Sequence, residues 1–146
     1  MRVSTRTRYG TRLMFQLALD YGKGFSLLKD IAKRENLSGK YLSLIVIPLK
    51  AQGLIVSARG AKGGYILSRH PSQISMREIV EALDGEIAAS ECLRDSKSCN
   101  RFSSCVTREV WKLLDDKIAE TLASVKLQDL IEIHNKRKNP ANNYEI

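Results

Sequence analysis

The chain has 146 residues, 43% of them hydrophobic, and a formal net charge of +8 at pH 7. That length suits one compact domain with an extra helix and a real core. No apolar run approaches the ~18–20 residues of a membrane span. The polar start, Met1-Arg2-Val3-Ser4-Thr5, lacks a signal-peptide core, so a cytoplasmic protein is expected. The charge is unevenly placed. Residues 1–68 carry 12 Lys/Arg against 3 Asp/Glu, a net +9, and residues 69–146 carry 12 against 13, a net −1. Such segregation marks a surface for a polyanion.

Residues 4–22 read as a first amphipathic helix. Tyr9, Leu13, Leu17 and Tyr21 recur every four residues, with Met14 and Ala18 beside them. Arg2, Arg6, Arg8 and Arg12 line its beginning, and Thr5, Thr7 and Tyr9 add hydroxyls. Two readings stand side by side: a solvated basic edge, or a phosphate clamp at a helix start. Gly22-Lys23-Gly24 then turns the chain.

Ser26 is placed to cap a second helix that buries Leu27, Leu28, Ile31 and Ala32. Asn36-Leu37-Ser38 forms a turn, and Ser38 can cap a third helix. Leu42, Ile45, Val46 and Leu49 make the inner stripe of that helix. Its opposite face starts with Ser38, Gly39, Lys40 and Tyr41, within reach of a nucleic acid. Pro48 removes one intrahelical donor and predicts a mild bend. Leu44 and Ile47 fall outside the inner stripe. Packing on another helix is expected for them, ahead of contact with thymine methyl groups.

Gly53 is placed to end the helix. Strands are predicted over Leu54–Ala58 and Tyr65–Ser68, with Arg59–Gly64 as the tip of a hairpin. Glycines there allow positive φ and close backbone approach. The tip lacks the strand-to-helix context and the Gly-Lys-Ser/Thr ending of a P-loop. Helix, turn, helix and hairpin in that order make a winged helix-turn-helix. The fold class is thus mainly α with a small β-hairpin wing. Its second helix would enter a DNA major groove, and the tip would meet the flanking backbone or minor groove. The candidate DNA-binding residues are Arg6, Arg8, Tyr9, Ser38, Lys40, Tyr41, Ser43, Arg59, Gly60 and Lys62. Arg59 is the minor-groove candidate among them.

His70-Pro71 breaks the strand. Ser75-Met76-Arg77-Glu78 is a capping box opening a helix that buries Met76, Ile79, Val80 and Leu83 and stops near Gly85. The next stretch, 86–104, has no helical period. Three cysteines fall in or just after it: Cys92, Cys99 and Cys105. Buried thiols prefer apolar neighbours, and these are surrounded by polar and charged residues. An odd count disfavours disulfides. Zinc prefers closer ligand spacing, whereas an iron–sulfur cluster spreads its thiolates more widely. Spacing alone leaves cluster binding and plain thiols level.

From Val106 to about Val125 runs the longest predicted helix, with Val106, Val110, Leu113 or Leu114, Ile118, Thr121 or Leu122, and Val125 in one stripe and Trp111 beside it. Pairing with a second copy is expected, ahead of folding back on its own domain, because winged helices read paired half-sites. Leu127, Leu130 and Ile131 begin a short final helix, and 139–146 reads as a frayed tail. The expected organisation is a winged domain over 1–85, a cysteine loop over 86–105, dimerisation and final helices over 106–132, and a tail over 133–146.

These residues resemble the IscR-type (Rrf-two) winged-helix transcription regulators of bacteria. The resemblance covers residues 1 to about 132. It is carried by MRVSTRTRYGTRLMFQLAL, by KYLSLIVIPLKAQGLIVSARGAKGGYILS, and by the three cysteines followed by CVTREVWKLL. It implies a cytoplasmic homodimer that binds double-stranded DNA as a repressor or dual regulator. By motif position, Ser38, Lys40 and Tyr41 fall at the start of the recognition helix and Arg59 on the minor-groove arginine. Cys92, Cys99 and Cys105 fall on the cluster cysteines, of a 2Fe–2S type ahead of 4Fe–4S. The resemblance further implies control of iron–sulfur or sulfur metabolism genes.

Two departures stand out. The family's recognition helix often reads YLEQL where this chain has YLSLI, so Ser43 and Leu44 replace an acid and an amide that can read base edges. Cluster-binding relatives often carry a His three residues after the last cysteine, where this chain has Arg108; others use an acid where it has Arg8. Glu91, Asp95, Glu109 and His134 are then the candidates for a fourth ligand, beside an exogenous thiol or water. One alternative is a cluster-free regulator of cysteine metabolism working with a partner protein. Another is a redox or zinc-stapled interaction protein. A redox enzyme is disfavoured, since the chain has no catalytic His/Asp set and no cofactor motif.

Overall fold

A computed structural model describes residues 2–140. Helix α1 spans Thr5–Leu19, α2 Leu28–Glu35 and α3 Gly39–Ala51. Strands β1 (Ile55–Ala58) and β2 (Gly64–Leu67) follow, then α4 (Met76–Asp84), a single turn α5 (Glu91–Arg94), α6 (Arg108–Ser124) and α7 (Leu127–Lys138). The architecture is the expected helix-turn-helix with a two-stranded wing, and seven helices are present among the described residues.

One core joins these pieces. Leu13, Met14 and Leu17 from α1 meet Ile31 of α2, Leu42, Ile45 and Leu49 of α3, Leu54, Ile55 and Leu67 of the wing, and Ile79 and Leu83 of α4. The inner stripe of α3 is the predicted one. Gly10 on α1 lies under Leu83, with no room for a side chain between the two helices. Helix α1 is capped by Ser4, whose hydroxyl accepts from the Thr7 amide at 2.9 Å. The Ser4 and Thr7 hydroxyls both donate to Asp84, at 2.7 and 2.6 Å, and fasten the start of α1 to the end of α4. A carboxylate also suits the positive end of a helix.

Local signals hold where the partners are close in sequence. Ser38 caps α3 through the Tyr41 amide. Asn36 takes the left-handed conformation that ends α2. Ser75 and Glu78 form the reciprocal capping box, at 3.2 and 2.9 Å. Pro48 is carried within α3.

Ser26 differs from expectation. The cap of α2 is Leu27, without a side-chain bond. The Ser26 backbone instead pairs antiparallel with Tyr65, amide to carbonyl at 2.8 Å in both directions, and its hydroxyl donates to Asp20 at 2.7 Å. It therefore serves as a one-residue third strand on the outer edge of β2. The strands pair Ile55 with Leu67 and Ala58 with Gly64. Gly64 has φ +136°, and a β-carbon there would strike the Ser26 carbonyl. The close approach read from the glycines thus serves the wing's own backbone at this position.

The C-terminal part returns to the winged domain. Ser75 forms a β-bridge with Lys126, the Met76 amide donates to the Val125 carbonyl (2.8 Å), and the Leu127 amide donates to the Ile74 carbonyl (3.0 Å). Leu127 is fully buried. Helix α7 then packs along α1 and runs to Lys138, further than the short helix expected; residues 141–146 of the expected tail lie outside the described residues. Helix α6 buries no residue. Its Val110, Trp111, Leu113 and Leu114 face outward, exposed, as does Val106 just before the helix.

Gly64→Ala should lower stability by about 1–3 kcal/mol, through strained backbone and a displaced Ser26 strand. Gly60→Ala, at an open positive-φ position, should cost less. Denaturant midpoints of the two variants check the order.

Candidate nucleic-acid interface and cysteine loop

The basic residues divide into those held inside the domain and those left free. Arg12 is held. Its guanidinium pairs with the Glu35 carboxylate at 2.8 Å and also bonds the Glu35 carbonyl, while Gln16 donates to the same carboxylate at 2.6 Å. Thr7 is buried and bound to Asp84, so the Thr7 hydroxyl and the Arg12 guanidinium are both engaged within the domain rather than left free for phosphate. Arg34 pairs with Asp20 at 2.8 Å and holds that carboxyl below the usual carboxylate range.

Arg6, Lys40, Arg59 and Lys62 are exposed and form no ion pair among the described residues. Arg6 lines an open hollow with Tyr41, Leu44, Ile47 and Pro48. Arg8 lies over the Tyr9 ring, 5.8 Å from its centroid. Tyr9 and Tyr41 meet edge to face, at 5.8 Å and 89°, both half-buried against the core. They brace α1 against α3. The Ser38 hydroxyl is engaged as the cap of α3, and the Ser43 hydroxyl donates to the Lys40 carbonyl at 2.6 Å. Gly60, at φ +104°, sits with Arg59 and Lys62 at the exposed wing tip. Lys62 and Lys23 share a cleft between the tip and the α1–α2 connection; Lys23 was missed because only the Ser26–Tyr65 pairing brings those segments together.

Leu44 and Ile47 correct another expectation. Among the described residues no helix covers them, and they keep 59% and 62% of their surface exposed.

The cysteine segment is more ordered than its composition suggested. Cys92 lies in α5, its sulfur 3.0 Å from the Ser90 hydroxyl. Cys99 ends a short 3₁₀ turn over Ser96–Ser98. Cys105 precedes α6, its sulfur 3.3 Å from the Thr107 hydroxyl. That hydrogen bond, with the Arg108 amide next, pulls the Cys105 thiol below its ordinary value. Arg108 stacks on Phe102 at 4.0 Å, donates to the Phe102 carbonyl at 2.6 Å and pairs with Glu109 at 3.3 Å. Asp115 on α6 accepts from the Ala89 amide at 2.6 Å. The loop is thus tied to α6 at two points by protein groups alone.

Among the described residues, no three His, Cys, Asp or Glu side chains converge on a point that could hold a metal ion. Asp95 caps the 3₁₀ turn, Glu109 is paired with Arg108, and His134 lies edge-on to Phe15 in the α1–α7 groove. In this arrangement the donor set does not fit an iron–sulfur cluster.

A family profile named Rrf2 and described as an iron-dependent transcriptional regulator matches residues 3–133. The HTH-type transcriptional regulator CymR of Bacillus subtilis is 40% identical over 130 residues, covering 89% of each protein. The solved structure of CymR, the global cysteine regulator of B. subtilis, superposes with a TM-score of 0.77 at 38% identity, over 91% of this chain and 98% of that one. The structure of T. potens IscR gives 0.75 at 36% identity, over 92% and 88%. No helix among the described residues is long and apolar enough to cross a membrane. The chain belongs to the Rrf2 family of DNA-binding transcriptional regulators, winged-helix proteins rather than enzymes.

Proposed function

We propose that this chain is a cytoplasmic, homodimeric regulator of cysteine or sulfur metabolism genes, and that the thiol state of its cysteine loop tunes operator binding. The observation that carries this reading is the joint between loop and helix. Cys105 lies at the root of α6, with Arg108 and Asp115 binding the loop to that helix. The exposed apolar stripe of α6 is the surface a second copy would cover. Oxidation or modification of the loop then acts where two DNA-binding units are held together. Coupling of this kind is typically worth about 1–3 kcal/mol. The similarity to CymR, the global cysteine regulator of B. subtilis, supports this assignment. A partner protein that reports cysteine supply is compatible with it.

Arg6, Arg8, Lys40, Arg59 and Lys62 form the proposed DNA surface, with Gly60 letting the wing tip approach the duplex. Ser38, Tyr9 and Tyr41 position it, and Ser43 shapes the recognition helix. An iron–sulfur cluster on Cys92, Cys99 and Cys105 is the second reading. Three thiols on one loop and the iron-dependent description of the family profile favour it. It requires the loop to rearrange and Arg108 to leave Phe102.

Arg59→Ala should weaken operator binding by about 1–3 kcal/mol if the arginine enters a narrow minor groove. Binding by the parent should fall steeply with salt as phosphate counterions are released. Titrations at matched salt measure both, and an unchanged affinity removes Arg59 from the interface.

Leu114→Glu should give a folded monomer, because Leu114 is exposed in the single chain but would be desolvated between two copies. Sedimentation decides it; a dimer that persists places the contact elsewhere.

Protein purified without oxygen should be assayed for iron and sulfide, then titrated on one operator when reduced and when oxidised. The thiol reading expects little iron and a redox-dependent affinity that the triple Cys→Ala variant lacks. Stoichiometric iron and sulfide would select the cluster reading. Equal affinities of all forms would sink both.

A further inference from the structure

The outermost line of α3 is Lys40, Leu44, Ile47 and Ala51. These positions share one helical face, opposite the buried Leu42, Ile45, Val46 and Leu49. All four are exposed. The middle of this line is therefore apolar, on the most basic half of the chain. The nearest polar reader, Ser43, turns its hydroxyl to the Lys40 carbonyl. Arg6 stands beside Leu44 and Ile47 at the same hollow.

Whatever covers this surface must be anionic overall and apolar at one spot. A second copy of the same surface carries the same positive charge and is repelled. The major groove of duplex DNA satisfies both demands. Its phosphates suit Arg6 and Lys40, and the thymine 5-methyl is the apolar group on its base edges. We propose that Leu44 and Ile47 are specificity-determining residues that read thymine methyl groups in the major groove. The preferred duplex then carries thymines beneath this stripe. This rests on the DNA-binding surface proposed above.

The test separates the two ideas. The full chain selects duplexes from a randomised library, and each thymine of the best-bound duplex is replaced in turn by deoxyuridine. That change deletes only the methyl group and leaves base pairing intact. Affinity should fall roughly threefold to fivefold for each methyl that a leucine or isoleucine covers. Leu44→Ala and Ile47→Ala, both at exposed positions, should stay folded by circular dichroism and lose this discrimination. They should keep salt-dependent binding to an unrelated duplex.

If the parent binds DNA yet is indifferent to every deoxyuridine, or the alanine variants still discriminate, the methyl reading falls and the DNA surface stands. Failure to bind any duplex at low salt overturns both. Should the variants change oligomeric state while their DNA preference stays the same, the stripe is a protein contact and the proposal is wrong.

Discussion

The structure depends on a short backbone pairing between Ile74–Met76 and Val125–Leu127. Leu127 closes the core beneath that pairing, and α7 is laid along α1. With both of its flanks anchored, the segment between has to leave and re-enter the domain at neighbouring points. Helix α6 is the element thrown outward. It rests on α4 with Ile118 and Leu122 half-buried, while Val110, Trp111, Leu113 and Leu114 stay exposed, because the inner surface is already filled by α1, α3, α4 and the wing. An exposed stripe of this kind signals an unfilled contact more clearly than any local motif does.

The same logic runs through the winged domain. Two loops remote in sequence, the α1–α2 connection and the wing, are fixed to each other by Ser26 and Tyr65. Asp84 joins the first helix to the fourth. Tyr9 and Tyr41 set the spacing of α1 and α3. Each contact is small, in the range of about 0.5–1.5 kcal/mol for a net hydrogen bond. Together they join α3 and the wing to α1 and α4 through one set of contacts.

Much of this was legible in the sequence, for identifiable reasons. The capping box at Ser75, the cap at Ser38 and the stripe of α3 depend on residues three or four apart, so periodicity and propensity suffice. Ser26 was misread because its partner is Tyr65, and sequence order says nothing about a one-residue strand. Thr7 and Arg12 looked like phosphate ligands because their partners, Asp84 and Glu35, are distant in sequence. Leu44 and Ile47 were expected to pack on another helix because apolar residues usually find a partner; helical periodicity places them outside the inner stripe but does not say whether a helix lies over them. The cysteine segment hid its order for the same reason, since Arg108 and Asp115 hold it from a different element.

The disposition of the acids in the first half has a consequence in time rather than in affinity. Asp20 is bound to Arg34 and Ser26, and Glu35 to Arg12 and Gln16. Asp30 lies in the first turn of α2. With Asp20 and Glu35 held by internal partners and only Asp30 exposed among the three acids, the outward lysines and arginines present a field that few neighbours cancel. Such a field draws in a polyanion before any contact forms, and it can raise encounter rates by ten- to a thousandfold. It also favours a loosely held protein that slides and hops along DNA between sites. Internal ion pairs of this kind thereby bear on how fast a small DNA-binding domain meets its polyanion.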